Sequence, residues 1–223
     1  EREQAMVIEN TRQFLAGLPA NNVLLYGDRG TGKSSTVKAL LNRFGPEGLR
    51  LVEITKRDLD SLPGLLDRLA GRGPRFIIFI DDLSFGERDA QYAALKAVLE
   101  GGVGAAPDNV LIYATSNRRH FLPERFSDRP GAADDDVHAG DTLQEKLSLA
   151  DRFGMTITFL SPDQKGYLSI VEKLADQRGI TMGREELRRL ALEWELHQNT
   201  RSPRTARQFV DQLQGKLGLD QLD

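Results

Sequence analysis

A chain of 223 residues can bury a sizeable core, as one large domain or a large one with a small companion, and a formal net charge of −3 carries no global basic excess that would mark nucleic acid as an obligatory partner. The lack of cysteine excludes disulfides, thiolate nucleophiles and cysteine-ligated zinc, and fits a reducing, cytoplasmic setting. His120, His138 and His197 stand far apart without metal-ligand spacing, and no uninterrupted apolar run approaches membrane-spanning length.

The chain opens at Glu1, without a methionine and already inside a helix-like pattern, as a piece of a longer sequence would. From Ala5 to Leu15, the spacing of Met6, Ile8, Phe14 and Leu15 predicts a leading helix that stops at Gly17 and Pro19. Short apolar runs, rich in β-branched or aromatic residues and bounded by turn formers, then predict five strands: Val23–Tyr26, Leu49–Ile54, Phe76–Ile80, Val110–Ala114 and Met155–Leu160. Helical patterns lie between them at Ser34–Phe44, Leu59–Leu69, Asp89–Leu99 and, more briefly, Leu143–Ala150. The segment from Asn117 to Thr142, with Pro123, Pro130, Gly131 and the acidic run Asp134–Asp136, reads as a long loop. Strands alternating with helices predict an α/β domain, a parallel sheet covered on both faces. From Pro162 onward the strand signal stops. Helical patterns at Gln164–Arg178, Glu185–Leu196 and Ser202–Leu217 predict a small all-helical domain, so the expected division is 1–161 and 162–223. Ser202 before Pro203 is a helix start, a capping hydroxyl ahead of the residue that best tolerates the first turn.

The stretch "NVLLYGDRGTGKSSTVKALL" interrupts a strand and a helix with glycines and a lysine. Gly27, Gly32, Lys33 and Ser34 fit the pattern G-x-x-x-x-G-K-S/T in the strand-to-helix context that a phosphate loop needs. Such a loop turns its backbone N–H groups inward at a phosphate while the helix presents its positive end to the same anion. The candidate nucleotide-binding residues are therefore Gly27, Asp28, Arg29, Gly30, Thr31, Gly32, Lys33, Ser34 and Ser35. Lys33 would bridge the β- and γ-phosphates and the Ser34 hydroxyl would ligate Mg²⁺. The other reading is a glycine-rich turn with a solvated lysine.

In "RFIIFIDDLSF" an apolar strand runs into paired aspartates. Asp81 would hold Mg²⁺ through its water shell and Asp82 would polarise the attacking water; alternatively the pair caps the next turn. "VLIYATSNRRH" places Asn117 at the carboxyl edge of the sheet, where open α/β sheets bind ligands, as a hydrogen-bond partner for the γ-phosphate or the water; standing alone it would read as a turn asparagine.

Together these motifs resemble the AAA+ ATPases over nearly the whole chain: "GDRGTGKS", "FIIFIDD", "ATSN", "LSLADRFG" and "SPRTARQF". "NNVLLYGDRGTGKSS", "DDLSF" and "YATSNRRH" look like a bacterial AAA+ family of predicted ATP-binding proteins of unknown function, and the Asp-Asp pair is similar to that of the bacterial replication initiator and its relatives. The resemblance implies ATP and Mg²⁺ binding at subunit junctions of a nucleotide-dependent homo-oligomer. It makes Arg152 the arginine finger that reaches a neighbour's γ-phosphate, worth about 10³–10⁵ in rate where such a residue acts. Arg125, in "PERFSD", ranks second, and a salt bridge from Arg152 to Asp151 or the lid is the structural alternative. It also makes Arg204 the lid arginine that senses γ-phosphate, with Arg207 one helical turn later as the fallback.

Several features depart from that pattern. Asp82 is a methylene shorter than the usual glutamate, which implies slow hydrolysis. "TKRDLDSLPG" holds no aromatic pore loop, and "EGGVGAAPDN" leaves no room for a helicase-type β-hairpin insert. The adenine-contacting segment of the family falls partly upstream of Glu1. The sequence thus supports an ATPase or, as the alternative, an ATP-controlled switch or loader with negligible turnover that acts on a protein or DNA partner. It names no client, and Arg118 and Arg119 are a small beginning for a basic face.

Overall fold

The structure, a computed structural model, describes residues 2–83, 90–101, 106–117 and 150–219. Arg118, Arg119, His120, Arg125, Asp134–Asp136, His138 and most of the helix expected near 143–150 lie outside the described residues. The chain divides into two compact units, one comprising Glu1–Gly27 and Lys33–Phe159, the other Asp28–Gly32 and Leu160–Asp223.

The first unit begins with α1 (Arg2–Leu15) and continues β1 (Val23–Gly27), α2 (Lys33–Phe44), β2 (Leu49–Ile54), a 3-10 helix (Lys56–Ser61), α3 (Leu62–Leu69), β3 (Arg75–Ile80), α4 (Ala90–Leu99), β4 (Val110–Asn117) and β5 (Met155–Phe159). The five strands form one sheet in the order β2-β3-β4-β1-β5, and every pairing is parallel. The chain leaves β1 in one direction to reach β2 and returns through β3 to β4. Right-handed crossovers therefore put α2 on one face and α3 and α4 on the other. Strand side chains alternate accordingly. Leu24, Ile78, Ile80 and Ile112 pack with Leu62, Leu66 and Leu95 on one face, while Val23, Leu25, Ile77 and Phe79 pack with Val7, Phe14, Val37 and Leu40 on the other.

A polar network fixes α1 to that second face. The Asn10 side chain, 1% exposed, donates to Tyr113 Oη and Asn21 O, both at 2.9 Å, and accepts the Asn21 N–H at 3.0 Å. Thr11 Oγ1 lies 2.9 Å from the same phenol. Burial pushes the Tyr113 phenol up, only partly countered by these two hydrogen bonds.

Two expectations need correction. The helix expected over Leu59–Leu69 starts earlier, as a 3-10 turn, and becomes α-helical only at Leu62. Pro63 has no N–H to give the carbonyl four residues back, and the Leu62 N–H instead bonds Leu59 O three residues back. β4 runs on to Asn117 rather than ending at Ala114, because Thr115, Ser116 and Asn117 pair with Leu25, Tyr26 and Gly27 of β1, and the buried hydroxyls find partners just after β3: Thr115 with Asp81, and Ser116 with Leu83 O at 2.7 Å.

In the second unit α5 (Gln164–Gln177), α6 (Arg184–Gln198) and α7 (Pro203–Leu219) enclose a core of Tyr167, Val171, Ala191, Ala206, Phe209 and Val210. Asp163 caps α5 by accepting the Gly166 N–H at 2.7 Å, and Ser202 caps α7 by accepting the Thr205 N–H at 3.1 Å. α6 ends at Asn199 in the left-handed conformation, φ 46°.

Tyr167 Oη donates to Ala191 O at 3.2 Å, and burial, with Glu195 nearby, pushes its phenol up to about 12. The unfolded chain releases this proton near 10, so between pH 10 and about 12 the folded form loses ground with every unit of pH. Tyr167→Phe forfeits one hydrogen bond, about 1 kcal/mol. It should also flatten the fall in melting temperature above pH 10; calorimetry from pH 8 to 11.5 reads both effects.

Candidate functional site

Buried β1 delivers the chain to Gly27 at the carboxyl edge of the sheet, where φ is +137°. A Cβ at Gly27 would sit 1.9 Å from Phe159 O on β5, so the backbones of the two strands approach too closely for any side chain. Gly30, at φ +77°, is closed in by other atoms: a Cβ there would meet Ser202 Oγ at 2.9 Å and Arg204 Cβ at 3.2 Å. Within the second unit, then, the loop Asp28–Gly32 is tied to the start of α7. The Arg204 N–H bonds Gly30 O at 3.3 Å, and the Asp28 carboxylate accepts the Ser161 N–H at 3.2 Å.

α2 begins at Lys33, and the side chains at its first turn meet those of β3 and β4 in the first unit. Lys33, 6% exposed, donates from Nζ to Gly27 O at 3.0 Å and to Asn117 Oδ1 at 3.4 Å. Ser34 Oγ donates to Asp81 Oδ1 at 2.6 Å. Thr115 Oγ1 donates to that same oxygen at 2.6 Å while accepting the Asp82 N–H at 2.9 Å. The Asn117 amide donates from Nδ2 to Asp82 Oδ1. Lys33, Ser34, Asp81, Asp82 and Asn117, dispersed over 84 positions of sequence, thus form one continuous polar cluster at the ends of β1, β3 and β4.

This donor set fits a triphosphate with a hard cation. Ser34 gives its proton to Asp81 and so keeps oxygen lone pairs for a metal, and one carboxylate with one hydroxyl is what Mg²⁺ takes from protein when phosphates supply other ligands. Among the described residues no group of three or more His, Cys, Asp or Glu side chains forms a self-sufficient metal cage.

Asp82 has φ 54°, the left-handed region that aspartate and asparagine tolerate better than longer side chains do.

Arg152 lies just before β5, at the amino edge of the sheet, and both Nε and Nη2 are 2.7 Å from Glu100 Oε1. Among the described residues a carboxylate partner of Arg152 is thus Glu100. The five-residue strands separate this edge from Gly27 by on the order of 13 Å at about 3.3 Å per residue, too far for Arg152 to serve the loop of its own chain. The pair is partly exposed, 21% and 45%, so releasing the arginine costs about 1 kcal/mol or less. Arg204 and Arg207 are exposed on the first two turns of α7. Sequence reasoning missed Thr115 and Glu100. A hydroxyl two residues before Asn117, at the end of an apolar run, was the available signal for Thr115.

A family model described as "Protein of unknown function (DUF815)" matches residues 1–217. The chain belongs to this family. Among curated proteins the DUF815 chain is 32% identical over 133 residues to the 26S proteasome regulatory subunit 4 homolog of Dictyostelium discoideum, covering 52% of this chain and 30% of that one. It is 27% identical over 170 residues to the proteasome-activating nucleotidase of Methanocaldococcus jannaschii, covering 69% and 35%. The chain thus spans about a third of the length of these relatives. Among solved structures, the Thermotoga maritima RuvB Holliday junction branch migration motor superposes with a TM-score of 0.63 at 15% identity, over 99% of this chain and 62% of that one. The Aeropyrum pernix ORC2 protein, in its ADPNP-ADP complexes, gives 0.54 at 14% identity, over 95% and 66%. Family and fold together place the DUF815 chain in the AAA+ superfamily, with the parallel five-stranded sheet and C-terminal helices that its sequence predicts. No helix among the described residues is long and apolar enough to cross a membrane.

Two alanine substitutions test the loop of this DUF815 chain. Gly32→Ala has open space around its Cβ and costs only the left-handed penalty, about 1–2 kcal/mol. Gly27→Ala drives a Cβ into β5 backbone and should cost on the order of 3 kcal/mol or more in urea unfolding. Equal midpoints would show that β1 and β5 do not approach this closely.

Proposed function

We propose that this chain is a Mg²⁺-dependent ATPase whose site is completed by a second copy. The observation that carries the reading is the convergence of Lys33, Ser34, Asp81, Asp82 and Asn117 through direct hydrogen bonds at the carboxyl edge of the sheet. Residues 27–35 wrap the triphosphate, their N–H groups and the α2 N-terminus supplying positive potential. Lys33 exchanges the Gly27 carbonyl and Asn117 amide oxygen for the β- and γ-phosphates. Ser34 and Asp81 would hold Mg²⁺, which when bound would neutralise charge developing on the phosphates. Asp82 takes the proton of the attacking water, and Asn117, bonded to Asp82 already, orients that carboxylate and the water together. Arg204, whose own N–H is bonded to the loop at Gly30, reports the γ-phosphate to the helical unit. Arg152 leaves Glu100 for the γ-phosphate of the neighbouring copy.

One observation favours the alternative, a nucleotide-controlled switch or loader with negligible turnover: the Asp82 carboxylate is already engaged by the Asn117 amide, so it must be shared before it can act as a base. Turnover decides between them.

ATP hydrolysis measured across protein concentration should show specific activity that rises with concentration. Lys33→Ala should lose nucleotide binding. Arg152→Ala should bind ATP yet turn over about 10³-fold or more slowly. Activity independent of concentration, or an unimpaired Arg152→Ala, would remove the shared site, and no turnover beside tight binding would leave the switch.

A further inference from the structure

The geometry points to Thr115 as a positioning residue that sets the two aspartates relative to each other, a role that rests on the ATPase reading above. Thr115 is 2% exposed, on β4, and its hydroxyl has one proton and two lone pairs to dispose of. A threonine in a sheet commonly satisfies its hydroxyl on nearby main chain. Here the proton goes to the Asp81 carboxylate at 2.6 Å, and a lone pair accepts the Asp82 N–H at 2.9 Å. One oxygen therefore grips the side chain of one aspartate and the backbone of the next.

Both grips have a consequence for chemistry. Asp81 Oδ1 accepts from Ser34 as well as from Thr115, so its carboxylate plane is set by hydroxyls on two separate elements, α2 and β4. The Asp82 N–H belongs to a residue at φ 54°, a conformation that the chain holds only when neighbouring contacts determine it. Further anchors come from β4: the Leu83 N–H bonds Thr115 O at 2.7 Å, and Ser116 Oγ donates to Leu83 O at 2.7 Å. Thr115 thus fixes the peptide joining Asp81 to Asp82, and with it the direction in which the Asp82 carboxylate leaves the backbone toward Asn117. Thr115 touches neither substrate nor metal in this account; it acts through the aspartates.

The test compares wild type, Thr115→Val, Thr115→Ser and Thr115→Val combined with Asp82→Asn, by steady-state ATP turnover and by binding of a fluorescent ATP analogue with Mg²⁺. Thr115→Val should lower kcat about tenfold or more with analogue affinity within about threefold of wild type, and Thr115→Ser should restore kcat to within about threefold. In the Asp82→Asn background Thr115→Val should cost much less, about threefold or under, because only the part of its effect that passes through Asp81 remains. Wild-type kcat in Thr115→Val, a Thr115→Ser as impaired as the valine variant, or a full second loss on top of Asp82→Asn would each overturn the assignment. If Thr115→Val does not fold, Thr115→Ala against Thr115→Ser carries the same comparison. A wild type that never turns over ATP sinks the ATPase reading and this role together, whereas an active wild type with an indifferent Thr115→Val sinks this role alone.

Discussion

The shared acceptor at Asp81 Oδ1 is the constraint on which the site depends. Hydroxyls from α2 and β4 both donate to it, so the end of β3 is bound simultaneously to the helix that follows the phosphate loop and to the neighbouring strand. Charge-assisted bonds of this kind are shorter and stronger than neutral ones, and their partial burial reduces the competition from water. Lys33, held by Gly27 O and Asn117, closes the same cluster from the other side. The result is a set of polar groups held in fixed relation to one another, the kind of preorganisation that the proposed reaction would use.

Such placement requires a rigid frame, and the frame is built from ordinary hydrophobic alternation with a few points of exact backbone approach. β3 and β4 are buried on both faces, and β1 is sealed against β5 by a glycine. α1 adds a polar restraint: the Asn10, Thr11 and Tyr113 network satisfies every group it buries, so it orients the helix without leaving an unpaired donor in the core.

The sequence carries the fold's outline in its five apolar runs, because each is short, β-branched and punctuated, and because helical patterns separate them. It also carries the residues of the polar cluster, since a lysine after glycines and acids after an apolar run conflict with simple core building. What it conceals depends on distant partners. Thr115 and Ser116 fall outside the apolar run, yet their hydroxyls meet residues 33 and 34 positions away just after β3, and pairing with β1 carries β4 on to Asn117. The left-handed backbone of Asp82 has no local marker because aspartate is common in many turns. Glu100 is invisible as the partner of Arg152 because an exposed glutamate after a helix looks like any other. The 3-10 turn before α3 was legible in principle from Pro63, whose missing N–H forbids the α-helical bond there.

The placement of Arg152 and the phosphate loop at opposite edges of one sheet gives the subunit a direction. If the arginine of one copy serves the loop of another, the contact either is exchanged reciprocally across a twofold axis or repeats head-to-tail. A head-to-tail association would close as a ring or continue as a spiral, and in an open arrangement one terminal copy would keep an unanswered loop while the opposite terminus kept an idle arginine.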